Sequence, residues 1–321
     1  MPDVHRVLVC RRLLPAGLDL LTEAGHEVRE GGLDATPERL RELAPGCDAI
    51  VADASVPVDP TLLDAAGPGL RVVANFAVGY DNVDLAACRE REVAVTNTPG
   101  VLNDATAELA LALTMAAARC IGDAEAQLRA GRWRGWDPGE YLGLELSGAT
   151  FGVVGLGRIG RRYAELVRPL AGHLLYVARS PKPQAEGELE ARRVDLDELL
   201  ARSDVVSLHA PASDETRHMI GAEQLSAMSS HAVLVNTARG SLVDTQALAR
   251  ALANGEIGAA GLDVYEDEPD VPDELMAAPR CVLLPHIGSA TRTTRDAMAA
   301  LVARNVVAVL AGDEPPNPVT Q

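Results

Sequence analysis

The stretch Thr150-Phe-Gly-Val-Val-Gly155-Leu-Gly157-Arg-Ile-Gly160 contains a G-x-G-x-x-G motif. A short apolar run, 151–154, leads into it, and a run compatible with a helix, 161–167, follows it. A lone glycine hexapeptide could be an ordinary turn, but a strand before it and a helix after it are the setting that a dinucleotide-binding motif needs. The stretch therefore predicts a Rossmann-type sheet with a dinucleotide at its edge.

The residues of this motif have separate roles in holding a pyrophosphate. The first glycine permits a tight turn, the second lets the backbone approach the phosphates, and the third allows close packing of the helix. The two backbone N–H groups that follow the second glycine face the anion at the positive end of the helix. The predicted cofactor contacts in this motif are Gly155, Gly157, Arg158, Ile159 and Gly160.

Short apolar runs alternate with helical patterns along the whole chain. This rhythm is typical of βαβ units and of mostly parallel sheets covered on both faces. A length of 321 residues suffices for two domains. We therefore predict an α/β fold with two parallel-sheet domains. The strand candidates are 6–10, 49–51, 71–74, 151–154, 174–177, 205–208, 232–236, 261–264 and 282–284.

Two breaks interrupt the pattern. At Asn97-Thr-Pro-Gly100, turn residues precede Asp104, which we predict to be the N-cap of a helix at 105–118. A second break at 285–289 precedes a last helical pattern, 293–310, which could belong to either domain.

The segment 131–143 has no clear period and is long for a simple connection. It holds both tryptophans of the chain, Trp133 and Trp136. We interpret it as a functional or subunit-contacting arm.

The position about 20 residues beyond the glycines bears on the choice of cofactor. NAD-binding proteins place an Asp or Glu there for the ribose hydroxyls, whereas this chain reads Tyr176-Val-Ala-Arg-Ser-Pro-Lys182. In place of a carboxylate, Arg179, Ser180 and Lys182 could bind a 2′-phosphate. The pattern favours NADP(H) and leaves NAD(H) as the alternative, in which Arg179 is an ordinary surface residue.

Three candidate catalytic groups follow the strand candidates of the second half. They are Arg239, Glu268 and His286. Ligands of open α/β sheets bind beyond the carboxyl ends of the strands, so these side chains can converge there. A histidine supplies a proton near neutral pH, a carboxylate beside it favours the imidazolium, and an arginine binds a substrate carboxylate. Each residue alone has an ordinary structural explanation, and the interpretation depends on the three together.

Composition and net charge argue against several classes of binding partner and indicate the cellular compartment. Lys and Arg total 29 against 46 Asp and Glu, a net charge of −17, which argues against nucleic acid or an anionic membrane as a partner. The five cysteines lie far apart, so we expect neither disulfides nor a metal site. No apolar run approaches the about 18 residues of a membrane span. We expect a cytoplasmic protein.

The motifs together resemble the D-isomer-specific 2-hydroxyacid dehydrogenase family over nearly the whole chain. The resemblance is carried by six segments in order, which are 75–84, 106–110, the glycine motif, 235–244, 261–269 and 285–289. The segments 75–80, 136–143 and 178–183 are most similar to those of glyoxylate/hydroxypyruvate reductases.

The resemblance implies roles for single residues. Arg239 would orient a 2-oxo acid, His286 would donate the proton, and Glu268 would hold His286. The substrate-binding residues that it implies are Asn75, Phe76, Val78 and Gly79. The further cofactor contacts that it implies are Thr106, His209, Ala210, Pro211, Thr216, Thr237, Ala238, Asp263 and Gly288.

The resemblance also implies an architecture and an activity. Residues 1–98 and 290–321 would form a flavodoxin-like substrate domain, and residues 99–289 a Rossmann domain, the two closing over their ligands. The 131–143 arm then suggests a homodimer. The implied reaction is hydride transfer from NADPH or NADH to a small 2-oxo acid such as glyoxylate or hydroxypyruvate. The alternatives are a dehydrogenase for another small anion, such as a sugar acid or phosphite, and a corepressor-like protein that senses the nicotinamide cofactor.

Overall fold

Apolar runs of the chain form two separate parallel sheets, one in each of two compact units. The computed structural model describes residues 4–319. Unit 1 comprises Met1–Leu102 with Ser289–Gln321, and unit 2 comprises Asn103–Gly288. The prediction of an α/β fold with two parallel-sheet domains is confirmed.

The sheet of unit 1 has five parallel strands in the order β2-β1-β3-β4-β5. This is the flavodoxin-like order, in which the chain reverses direction across the sheet between β1 and β3. All residues of β1 except the first are buried, as expected for a strand covered on both faces. The strands are β1 Arg6–Val9, β2 Glu27–Glu30, β3 Ala49–Asp53, β4 Val72–Phe76 and β5 Ala94–Thr96.

The helices of unit 1 cover both faces of this sheet. Three of them begin with proline, whose fixed φ suits the first turn. The last helix packs against α1 and β4, and Arg71 donates to the carbonyls of Leu310 and Val309 near its end, at 2.8 and 2.9 Å. The helices are α1 Pro15–Glu23, α2 Pro37–Leu43, α3 Pro60–Ala66, α4 Leu85–Glu90 and α13 Arg292–Ala311.

The sheet of unit 2 has seven parallel strands in the order β12-β11-β10-β9-β6-β7-β8. This is a Rossmann order with one added strand, and its direction reverses between β6 and β9, where such sheets bind a dinucleotide. The strands are β6 Ala149–Val154, β7 Ala171–Val177, β8 Ala191–Arg193, β9 Val205–Leu208, β10 Val233–Asn236, β11 Ala259–Leu262 and β12 Cys281–Leu283.

Helices cover this sheet on both faces and form two apolar clusters. Helices α5, α7 and α8 contribute to one cluster, and α9 to α12 contribute to the other. The helices are α5 Asn103–Ala118, α6 Ile121–Arg129, α7 Arg158–Val167, α8 Pro183–Leu189, α9 Leu196–Arg202, α10 Ala222–Ala227, α11 Thr245–Asn254 and α12 Asp273–Met276, with a 3-10 turn at Gly240–Leu242.

The structure corrects two local predictions. Asp104 is not an N-cap, because α5 already begins at Asn103; it lies in the first turn, where its carboxylate accepts from Arg162 Nε at 2.7 Å and complements the helix dipole. The strand predicted at 261–264 lies two residues earlier, as β11, so Asp263 follows the strand instead of lying within it.

The 131–143 arm has no helix or strand and is exposed. Trp136 is 85% exposed and Leu142 is 71% exposed.

Among residues 4–319, no single helix is long and apolar enough to cross a membrane. Helices α5 and α6, which bend by 68° at their junction, meet the requirements of length and composition only as a pair.

Candidate active site

The three predicted catalytic residues follow adjacent strands of unit 2. Arg239 comes after β10, Glu268 after β11 and His286 after β12. The strands are parallel and neighbours in the sheet, so the segments that follow them meet at one edge. Backbone contact joins two of these segments, because a methyl group on Gly240 would lie 1.9 Å from the Tyr265 carbonyl carbon.

Glu268 and His286 form a close pair. His286 Nδ1 lies 2.6 Å from Glu268 Oε2, and the other carboxylate oxygen accepts from the Tyr265 amide at 3.0 Å. Burial alone would raise the pKa of Glu268, yet the hydrogen bond and charge of His286 outweigh it, so this pKa lies below its ordinary value. A carboxylate that stays ionised holds Nδ1 as a donor. The histidine's Nε2 accordingly remains for a ligand.

A buried carboxylate holds the turn that carries His286. Both oxygens of Asp263, which is fully buried, accept backbone amides at 2.7 Å, one from Ile287 and the other from Gly288. Burial raises the pKa of Asp263, although these amide hydrogen bonds oppose the shift. His286 has a φ of +52°, a conformation that costs a non-glycine residue energy and persists only where its surroundings fix it. The two hydrogen bonds accepted by Asp263, which we call the Asp263 clamp, provide that constraint.

Arg239 projects from a turn held by Asn236. The Asn236 side chain donates to the Arg239 carbonyl at 2.8 Å and accepts from the Ala238 amide at 3.0 Å. Arg239 Nη1 donates to the Ala238 carbonyl at 2.8 Å, and the guanidinium charge contributes to the lowered pKa of Glu268. Arg239 therefore lies within electrostatic reach of the Glu268–His286 pair.

The glycine motif forms the tight turn between β6 and α7. Gly155 has a φ of +94°, and a methyl group there would lie 2.6 Å from the Ala210 nitrogen. A methyl group on Gly160 would lie 2.1 Å from the Gly155 carbonyl oxygen. Gly157 differs, because a methyl group there would meet nothing within 4 Å. The open space at Gly157 and the N–H groups at the start of α7 fit a pyrophosphate.

His209 lies behind this turn and faces inward. Its Nε2 lies 2.9 Å from the Ser207 hydroxyl, and its ring packs against that of Tyr163 with the centroids 5.1 Å apart. Burial lowers its pKa to about 3, so the imidazole is neutral near pH 7. The Tyr163 hydroxyl in turn lies 2.8 Å from Thr114 Oγ1 on α5. The structure thus places His209 in a buried polar chain that supports the glycine turn.

The other cofactor candidates of unit 2 lie at five places along the sheet. Near the His286 turn, a methyl group on Gly288 would lie 3.2 Å from Asp263 and 3.5 Å from Thr106, so these three residues are neighbours. In the loop after β9, Thr216 donates to the Pro211 carbonyl at 2.8 Å. At the end of β7, Arg179 and Ser180 are exposed. The remaining candidates, Thr237, Ala238 and Lys182, lie beyond β10 and at the start of α8.

The substrate candidates of unit 1 lie at the end of β4 and in the loop after it. Asn75 Nδ2 donates to the Gly79 carbonyl at 2.8 Å, and Asn97 Nδ2 donates to the Val78 carbonyl at 2.8 Å. The amides of Val78 and Gly79 donate to no residue in the described part of the chain. Since C=O and N–H point in opposite directions across a trans peptide, holding the Val78 carbonyl turns the Gly79 amide away from Asn97. Phe76 ends the strand.

Sequence reasoning missed the residues that hold these groups in place. They are Asn82, Asn97, Asn236 and Tyr265, together with the bracing role of Asp263. For Asn236 the available signal is an asparagine that ends a buried strand, because a buried amide side chain has to find hydrogen-bond partners. Within residues 4–319, no group of three His, Cys, Asp or Glu side chains could hold a metal ion.

Comparison with known proteins identifies the family. Residues 111–288 match the model of the D-isomer specific 2-hydroxyacid dehydrogenase NAD binding domain. The chain belongs to this family. A glyoxylate reductase of Thermococcus litoralis is 47% identical over 288 residues, 88% of this chain and 86% of the relative. As a family member, the protein is a nicotinamide-dependent oxidoreductase of small 2-hydroxy and 2-oxo acids.

Solved structures agree with this assignment. A Thermus thermophilus protein superposes with a TM-score of 0.91 at 46% identity, covering 98% of this chain and 100% of its own. An NADPH-dependent glyoxylate/hydroxypyruvate reductase of Sinorhizobium meliloti, in complex with NADP and malonate, superposes with a TM-score of 0.87 at 36% identity and covers 99% and 97%.

Two glycine variants separate folding from cofactor binding. We expect Gly155→Ala to lower the melting temperature of the free protein, because the new methyl group meets backbone atoms and the φ is strained. We expect Gly157→Ala to leave the melting temperature unchanged and to weaken NADPH binding at least about tenfold, since the methyl group occupies the approach to the pyrophosphate. Thermal unfolding without ligand and fluorescence titration with NADPH measure the two effects. Unchanged NADPH affinity in Gly157→Ala would contradict the assignment of this turn.

Proposed function

We propose that the protein is an NADPH-preferring reductase that converts glyoxylate and hydroxypyruvate to the D-2-hydroxy acids. The observation that carries the proposal is the Glu268–His286 pair, 2.6 Å apart, with the charge of Arg239 nearby. The names of the relatives support these two acids as substrates.

His286 is the proposed proton donor. Glu268 holds Nδ1, so Nε2 is the nitrogen that gives a proton to the carbonyl oxygen of the oxo acid. Arg239 would bind the carboxylate and carbonyl oxygens of the substrate through its planar donor fork. The Asp263 clamp on the turn keeps the donor in position.

The nucleotide would lie along the carboxyl edge of the unit 2 sheet. The glycine motif and the start of α7 would hold its pyrophosphate, and Thr106 a phosphate as well. Asp263, Thr237, Ala238 and Gly288 would border the nicotinamide. Pro211, Thr216 and the backbone of His209 and Ala210 would border the adenosine. When bound, the reduced nicotinamide supplies a hydride to the carbonyl carbon.

Unit 1 is the proposed substrate domain. Its amides at Val78 and Gly79 donate to no described residue and would bind the substrate carboxylate. Asn75 would fix their loop and Phe76 would shape the pocket. The proposed domains are 1–98 with 290–321 for substrate and 99–289 for the nucleotide.

The preference for NADPH is proposed from the loop at the end of β7. Arg179, Ser180 and Lys182 place two positive charges and a hydroxyl where NAD-binding proteins carry a carboxylate. The NADP complex of the Sinorhizobium meliloti relative supports this proposal.

A homodimer that acts in the cytoplasm is proposed, and the 131–143 arm supports the dimer. Large apolar side chains are exposed there, and an exposed apolar patch of this kind is typical of a subunit contact. They are Trp133, Trp136 and Leu142, at 57%, 85% and 71% exposure.

The substrate proposal is tested by initial rates of NADPH and NADH oxidation with glyoxylate, hydroxypyruvate and pyruvate. We expect the highest kcat/KM with NADPH and either of the first two acids. Preference for NADH would contradict the phosphate-binding role of the loop and leave the enzyme assignment intact. Cofactor binding without turnover of any of the three acids would contradict the substrate proposal.

The proton-donor role of the Glu268–His286 pair is tested by the variants His286→Gln and Glu268→Gln. We expect His286→Gln to lower kcat by about 10²- to 10⁴-fold, as for loss of a general acid, with Glu268→Gln losing less. NADPH affinity should not change. The matched control is His231→Gln, because His231 pairs with Asp204 at 2.7 Å just before β10, at the opposite edge of the same sheet. Full activity of His286→Gln would refute the proton-donor role.

The homodimer is tested by sedimentation velocity. We expect a mass about twice the 33.7 kDa of the chain. Trp136→Arg should weaken the dimer, since a charge replaces an apolar contact, whereas Met276→Arg, a change at another exposed apolar side chain, should not. A monomeric wild-type protein would contradict the proposal.

A further inference from the structure

Arg193, at the end of β8, donates hydrogen bonds to the loop that carries Arg179 and Ser180. We call these hydrogen bonds the Arg193 clasp. Arg193 Nε and Nη2 donate to the Ala178 carbonyl at 3.2 and 3.0 Å, and Nη2 also donates to the Arg179 carbonyl at 3.2 Å. Arg193 pairs with Tyr176 across the parallel strands β7 and β8, so the clasp lies at the carboxyl edge of the sheet. This is the edge at which open α/β sheets bind their ligands.

The clasp orients two backbone donors. The peptide bonds after Ala178 and Arg179 are trans, so each N–H points opposite to the carbonyl that Arg193 holds. The amides of Arg179 and Ser180 therefore face away from the Arg193 guanidinium. Within residues 4–319, neither amide donates a hydrogen bond. Two adjacent N–H groups without a described partner are available to donate to an anion.

A second clasp fixes the far end of the same loop. The Lys182 amide donates to the Tyr176 hydroxyl at 2.8 Å, and that hydroxyl donates to the carboxylate of Glu186 on α8. The ring of Tyr176 is buried in the strand. With both ends held, the loop loses little entropy when it binds a ligand, which is how preorganisation raises affinity.

Arg193 adds a third positive charge beside those of Arg179 and Lys182. Its strand neighbour Arg192 points to the opposite face of the sheet, because side chains alternate along a strand, and it pairs with Glu198 at 2.9 Å. Only Arg193 of these two arginines touches the loop.

We propose that Arg193 is a specificity-determining positioning residue for NADP(H). It holds the Ala178 and Arg179 carbonyls so that the Arg179 and Ser180 amides, with the side chains of the loop, receive the 2′-phosphate. This inference rests on the proposed preference for NADPH. Arginine suits the role because one planar fork reaches two acceptors and keeps its charge, whereas lysine supplies only a point charge.

The test is equilibrium binding of NADPH, NADH, 2′,5′-ADP and 5′-AMP by wild type, Arg193→Gln, Arg193→Lys and the control Arg192→Gln. Fluorescence titration gives Kd for the dinucleotides and calorimetry gives Kd for the two nucleotides. We expect Arg193→Gln to weaken NADPH and 2′,5′-ADP about tenfold, as for loss of a charge-assisted contact. NADH and 5′-AMP should change less than about twofold, because they lack the 2′-phosphate. Arg193→Lys should resemble Arg193→Gln, and Arg192→Gln should resemble wild type.

The outcomes separate this inference from the proposal beneath it. A wild type that binds NADPH no better than NADH would overturn the cofactor preference itself. A wild type that prefers NADPH, with an unchanged ratio in Arg193→Gln, would overturn the role of Arg193 alone. Wild-type affinity in Arg193→Lys would show that charge suffices and would overturn the clasp. Equal weakening of NADPH and NADH in Arg193→Gln would indicate general damage and would also overturn it.

Discussion

The candidate active site depends on the two hydrogen bonds by which the buried Asp263 carboxylate holds the amides of Ile287 and Gly288. They fix a turn in which His286 has a positive φ, a conformation that the residue would not keep on its own. With the turn fixed, Nδ1 of the imidazole lies within hydrogen-bond distance of Glu268. Burial raises the pKa of Asp263 and so disfavours its charged form. The two amide donors oppose this effect, because a buried charge is tolerated only where hydrogen-bond donors satisfy it.

One hydrogen-bonding arrangement occurs at the carboxyl ends of the strands in both sheets. A side chain binds backbone carbonyls, and the amides on the other side of those peptides are the donors that we propose for an anionic ligand. Asn97 holds the Val78 carbonyl in unit 1, and Arg193 holds the Ala178 and Arg179 carbonyls in unit 2. Proteins with a net charge of −17 repel anions over most of their surface, so local donors must overcome that field. Oriented amides do so without adding many basic residues.

The sequence predicted the parts of this design that have a local signature. The glycine motif, the apolar runs and the order of Arg239, Glu268 and His286 each depend on residues close together in the chain or on a simple rule of parallel sheets. Asn236 and Tyr265 act on residues two or three positions along the chain, within turns whose conformation the pattern of residues did not show. Arg193 had no local signature, because it reaches the Ala178 and Arg179 carbonyls only once β8 pairs with β7. The short strand β8 was not predicted from the sequence for a similar reason. Its three residues are held by pairing with β7, and two of them are exposed.

His209 shows the limit of family resemblance. The resemblance implied a cofactor contact, and the structure places the ring against Ser207 and Tyr163, with its backbone beside Gly155. A position can border a ligand through its backbone while its side chain supports the fold. Sequence patterns name the position, and only packing shows which part of the residue acts.

In the proposed reaction, a hydride reaches the carbonyl carbon of a 2-oxo acid while the Glu268–His286 pair protonates its oxygen. The measurement is the product formed from hydroxypyruvate and from NADPH that carries deuterium at both C4 positions, analysed by mass spectrometry and chiral chromatography. We expect glycerate of D configuration with one deuterium at C2. Glycerate of L configuration, or D-glycerate without the label, would contradict it.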